Sequence, residues 1–114
     1  MTIERPPPEP GIERLPARLL DRVRAVWHPD EVWLFGSRAQ YRARPDSDWD
    51  LLVVVPDETS DDLLDLTTAW MAVRDLKIAA DVIPVRRAEF DAARSQRGTL
   101  VQIATAEGVR VDEP

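Results

Sequence analysis

The chain contains no cysteine, one histidine (His28) and one lysine (Lys77) among 114 residues. Without cysteine there are no disulfides, no thiolate metal sites and no cysteine nucleophile. A single histidine leaves too few ligands for a zinc centre and makes Ser-His hydrolase chemistry untenable. No apolar run approaches the roughly 20 residues a membrane span needs. The N-terminus has no signal-peptide apolar region, so the chain is expected in the cytoplasm with no membrane contact. Basic residues are outnumbered, 15 against 21 acids, giving a net charge of -6. Affinity for nucleic acid rests on neutralising phosphates, so no strong direct binding of it is expected. A basic protein partner, or a nucleotide bound through metal ions, suits this balance better.

What is present describes one globular domain. Hydrophobic residues make up 44% and charged residues 32%, enough for both a core and a solvated surface. Residues 1–11, with Pro6, Pro7, Pro8 and Pro10, read as an extended, disordered arm. Residues 12–114 read as a single domain. Ile12, Leu15, Leu19, Val23, Val26 and Trp27 fall at helical spacing and predict a helix over 12–27, ended by His28-Pro29-Asp30. Glu31 to Phe35 reads as a buried strand stopped by Gly36, with Ser37 capping a short helix to about Tyr41. Trp49 to Val55 is a second strand, closed by Pro56.

Ser60 is placed to cap a helix whose apolar face carries Leu63, Leu64, Leu66, Trp70, Met71, Val73 and Leu76. Ile78 to Val85 is a third strand, and Pro84 puts it at an edge or ends it early. Helices are expected over 86–94 and from Gly98 to Ala106, then a short strand over 109–111. The order is an α/β (α+β) alternation around a small mixed sheet flanked by helices. Trp27, Trp33 and Trp70 are assigned to the core, although a domain this small has little room for several buried indoles. Arg86 and Arg87 read as surface charge at a helix end.

Chemistry concentrates in GSRAQYRARPDSDWDLLVVV, residues 36–55. Residues i and i+2 of a strand point to one side, so Asp48 and Asp50 project together. Two close carboxylates repel unless a cation separates them. Magnesium is the natural cation, hard and oxygen-liganded. Asp81 opens Val82-Ile83 as Asp50 opens Leu51-Leu52, so neighbouring strands would gather three acids. Such a cluster can hold two ions roughly 4 Å apart for in-line phosphoryl displacement. The competing calcium-loop pattern fails, because Leu51 stands where that loop needs Gly. Gly36 and Ser37, where a strand turns into a helix, suit an anion. Arg38, with Arg42 and Arg44, either adds charge for phosphate or solvates the loop.

These residues resemble a family. Gly36-Ser37-Arg38-Ala39, then Asp46-Ser47-Asp48-Trp49-Asp50-Leu51, then a third acid, look like the minimal nucleotidyltransferase (MNT) domain of the polymerase-beta-like superfamily. The likeness spans about residues 12–111. It implies magnesium-dependent use of ATP with two ions, and antitoxin function beside a helical HEPN-type toxin in a hetero-oligomer. It also implies AMP transfer to a hydroxyl on that partner, with a tyrosine's as the expected acceptor. Carried over, Gly36, Ser37 and Arg38 contact the nucleotide; Asp48 and Asp50 hold both ions; Asp81 completes one metal site and helps activate the acceptor hydroxyl. Larger relatives carry a helical acceptor-binding domain, absent from these 114 residues, so the acceptor is expected on the partner. Two alternatives stand beside this: an antitoxin that only binds, and a transferase acting on a small molecule. Gln40-Tyr41 replaces the family's usual Arg-Gly, which suits a positive φ that Tyr adopts poorly. Trp49 replaces an aliphatic residue and is expected to point away from the acids as a packing change.

Overall fold

A computed structural model describes residues 14–40 and 42–113. The expected N-terminal arm and Tyr41 lie outside the described residues. Helix α1 spans Ala17–Trp27, with β1 at Glu31–Phe35 and β2 at Trp49–Val55. Helix α2 covers Leu66–Val73, β3 Ala80–Arg86, α3 Arg87–Ala93, α4 Leu100–Glu107 and β4 Val109–Arg110. Among the described residues, the four strands form one mixed sheet in the order β3-β2-β1-β4. Strand β1 runs antiparallel to both β2 and β4, whereas β2 and β3 are parallel. The small mixed sheet and flanking helices agree with the fold class expected from the sequence.

Strand β2 is central because its apolar run is buried on both faces, the pattern of a covered strand. Leu51, Val53 and Val55 pack with Leu19, Val23 and Trp27 of α1 and Ala69 and Val73 of α2. Leu52 and Val54 pack on the other face with Phe90 of α3 and Val101 and Ala104 of α4. Each such buried Leu or Val contributes about 1.5–3 kcal/mol of transfer free energy. Strand β3 takes the edge, as Pro84 anticipated, and there a missing N–H costs no ladder bond.

Two helix expectations need correction. Within the described residues α1 starts at Ala17, with Pro16 as its N-cap, rather than at residue 12. Proline disfavours helical backbone in the residue before it, so Leu15 stays outside the helix. The single helix expected after Ser60 is three pieces. A 3-10 turn spans Asp61–Leu64, Asp65 caps α2 by accepting from Thr68 N at 2.9 Å, and a second 3-10 turn spans Arg74–Leu76. The re-capping at Asp65 turns α2 so that Ala69 and Val73 enter the core. Leu66 and Trp70 are left 61% and 56% exposed, with Met71 also exposed. Trp70 is thus not a core residue, whereas Trp27 is, donating from Nε1 to the Leu63 carbonyl at 2.7 Å.

Arg87 is no idle surface charge either. Its guanidinium lies 2.7 Å from the carboxylate of Glu31, which is buried at the start of β1. Arg86 ties the Asp57 and Thr59 carbonyls to β3.

Candidate active site

The site lies where β2 and β3 begin and β1 ends. Asp50 is opposite Phe35 of β1 on one side and opposite Asp81 of β3 on the other. Parallel pairing in this register brings two acids distant in sequence to neighbouring strands, roughly 4.8 Å apart. Asp48 stands two residues before Asp50, exposed, and the Trp49 N–H donates to the Ala79 carbonyl at 2.9 Å. The head of β2 is thereby fixed to the approach to β3. The indole of Trp49 is buried in the core on the other side, the packing role expected of it.

The Asp50 carboxyl is held above its ordinary pKa, by burial first and then by the charges of Asp81 and Asp48. Among the described residues none of the three acids has an ion pair. Nor is any group of three His, Cys, Asp or Glu side chains among them closed into a metal cage as it stands. The acids are gathered and mutually repelling, with only oxygen donors. That donor set fits a hard divalent cation, which would relieve the repulsion raising Asp50.

Gly36 has a reason for being glycine that is invisible in sequence. It adopts φ 75° and a Cβ there would collide with Oδ2 of Asp50, lying 3.1 Å from its Cγ. The end of β1 therefore yields its space to a carboxylate. The element after it corrects the expected helix: it is one 3-10 turn, Ser37–Ala39, with Gly36 rather than Ser37 at the N-cap position. One turn carries little macrodipole, so it offers an anion only backbone N–H groups and the Ser37 hydroxyl.

Arg38 is buried and turned into the loop before Asp48. Its Nε and Nη2 donate to the Ser47 carbonyl at 3.0 and 2.7 Å, and Nη2 reaches the Pro45 carbonyl at 3.2 Å. Its guanidinium carbon is 4.3 Å from the centre of the Trp49 ring. The Ser47 hydroxyl accepts from Arg44 N at 2.8 Å, closing the same turn. Arg42 and Arg44 are exposed.

One feature of the site escaped the sequence. A cavity of about 260 Å³ opens beside Asp81, lined also by Leu66, Trp70, Ala80, Val82 and Ile83. The signal for it was Asp65, an N-cap residue inside an apolar periodicity.

A family model described as "Polymerase beta, Nucleotidyltransferase" matches residues 23–101, a span that includes Gly36, Asp48, Asp50 and Asp81. No curated protein matches the sequence. Among solved structures, a proposed nucleotidyltransferase from Sulfolobus solfataricus is similar at 20% identity and TM-score 0.51, covering 82% of this chain and 72% of that one. A toxin–antitoxin structure containing AMP-PNP is similar at 21% identity and TM-score 0.57, over 82% of this chain and 68% of that one. At such identities the likeness speaks to the fold.

Proposed function

Since the chain belongs to the polymerase beta nucleotidyltransferase family, we propose that it transfers AMP from ATP to a hydroxyl, a tyrosine's by preference, of a HEPN-type toxin and serves as its antitoxin. The observation that carries the transfer chemistry is the acid cluster. Asp50 and Asp81 are paired across adjacent strands, Asp48 is nearby, and the Asp50 pKa is raised by burial and by both neighbours. Two magnesium ions held by Asp48, Asp50 and Asp81 would supply neutralisation of the triphosphate and of the departing oxygen. Gly36 and Ser37 offer backbone N–H groups and a hydroxyl to the phosphates. Arg38 supports them by holding the loop that presents Asp48. In the reaction the acceptor oxygen bonds to the α-phosphorus, the bond from that phosphorus to the bridging oxygen breaks, and pyrophosphate leaves. Asp81 would take the acceptor's proton. The similar fold of a toxin–antitoxin structure holding AMP-PNP supports both a protein partner and an adenine nucleotide.

The test is the intact mass of the protein encoded beside this chain, after incubation with the chain, magnesium and ATP. One or more added AMP units are expected, with a rate loss on the order of 10³-fold or more in the Asp48→Ala, Asp50→Ala variant, equivalent to several kcal/mol of barrier. A tight stoichiometric complex without mass gain would replace this proposal with an antitoxin that only binds.

A further inference from the structure

We propose that the acceptor protein docks by laying an extended segment along the free edge of β3, in the slot walled by Leu66 and Trp70. This rests on the transfer reaction proposed above and specifies how its acceptor arrives.

Among the described residues, strand β3 is paired on one side only. The Ala79 carbonyl bonds to β2, so the alternation of a parallel ladder gives Asp81 and Ile83 to β2 and turns the N–H and C=O of Ala80 and Val82 outward. Pro84 follows in the outward set, where it brings no N–H. Pairing from outside therefore stops near Val82, which confines an incoming strand to the stretch beside Asp81. An exposed edge of this kind is a template for strand addition.

The slot supplies what the edge lacks. Leu66 and Trp70 lie one helical turn apart on the exposed side of α2, and with Ile83 they enclose the cavity of about 260 Å³. That volume accepts one large apolar or aromatic side chain. Asp81 borders the same cavity but shares its sheet face with Asp50 and Ile83 rather than with Ala80 and Val82. In a strand seated there, a neighbour of the residue filling the slot therefore has its side chain on the face of the acid assigned to take the acceptor's proton. Charge indicates the segment's other end. Asp57, Glu58, Asp61, Asp62 and Asp65 are all exposed in the stretch leading into α2. Asp61 reaches Arg86 at the far end of β3, and its side chain is 94% exposed. The matching segment carries an apolar or aromatic residue and a hydroxyl near Asp81, and basic residues toward Asp61.

The experiment combines residue-resolved amide hydrogen exchange with transfer assays, using the full chain and the purified protein encoded beside it. Ala80 and Val82 amides should exchange at least tenfold more slowly in the complex. A Leu66→Ser, Trp70→Ala variant, altered only at exposed positions, should lose tenfold or more in transfer at limiting acceptor. Its calorimetric affinity for AMP-PNP with magnesium should stay within twofold of the parent. Unchanged exchange at Ala80 and Val82, or unimpaired transfer by the variant, with wild-type transfer intact, would overturn strand docking and leave the proposed reaction standing. Protection of the same amides in the chain alone, with dimerisation, would assign the edge to self-association instead. Absence of both AMP-PNP binding and transfer in the wild-type chain would overturn the reaction and the docking with it.

Discussion

The two ends of the sheet treat buried acids in opposite ways. At one end Glu31 is buried at the start of β1, yet Arg87 lies 2.7 Å away, Arg110 lies 3.9 Å away and the Trp33 Nε1–H donates to it at 3.0 Å. At the other end Asp50 is half-buried beside Asp48 and Asp81, and among the described residues no cation answers any of them. A fold that can neutralise a buried carboxylate with two arginines leaves three acids without a cation at the other end, among the described residues. Stability is served at the first end. At the second the acids repel one another, a cost that a cation arriving from outside would relieve.

Substituting Gly36 should blur the contrast most. In Gly36→Ala a Cβ at φ 75° meets the Asp50 carboxylate, so Asp50 must move. Transfer should fall by about 100-fold, or roughly 2.7 kcal/mol of barrier. Stability should fall by about 1–3 kcal/mol, from a positive-φ extended backbone open essentially only to glycine. Steady-state kinetics alongside thermal unfolding separates the two effects. Glu31→Ala should show the converse, because Arg87 keeps only the more exposed Asp91 and Asp30 and loses its buried partner, and Trp33 loses its acceptor. About 2 kcal/mol of stability should be lost, with transfer per folded molecule unchanged. Denaturant titration with an activity assay on the same samples checks both.

The smallest effect has the opposite sign. Because the folded-state pKa of Asp50 is raised, the native chain binds that proton more tightly than the unfolded chain. Stability from this group is greatest below the ordinary aspartate pKa and declines as pH rises through the raised one. Asp50→Asn should therefore be more stable than the wild type at neutral pH by a few degrees, since Asp50 is partly solvated and its repulsion screened. The gain should shrink toward pH 3. Melting curves across that range with a chelator present measure it; a less stable Asn variant at neutral pH would show that the acids are not in conflict.

Much of the plan was legible where neighbouring residues settle the outcome. The bounds of β1 and β2 follow from apolar runs fenced by Asp30, Gly36, Ser47 and Pro56. Asp50 and Asp81 could be matched because each heads an apolar run, and parallel register then sets them opposite each other. Hidden were the features decided by distant partners. Gly36 reads as a turn residue, and only the sheet shows whose carboxylate occupies its missing side chain. Arg38 reads as loose positive charge, whereas three carbonyls and an indole hold it inside the loop. Asp65 looked like a polar position on a long helix because the apolar period runs through it. An N-cap outcompeted that period and turned Trp70 outward.

The parallel pairing of β2 with β3 also sets a timetable. Strands β1 and β2 can pair through a comparatively short connection. Strand β3 can reach β2 only after the whole α2 crossover is laid down, and closing so long a loop is slow. Asp50 and Asp81 come together only in that slower pairing. A chain that has formed only the β1–β2 pairing has the start of its hydrophobic centre but not yet the pairing of Asp50 with Asp81.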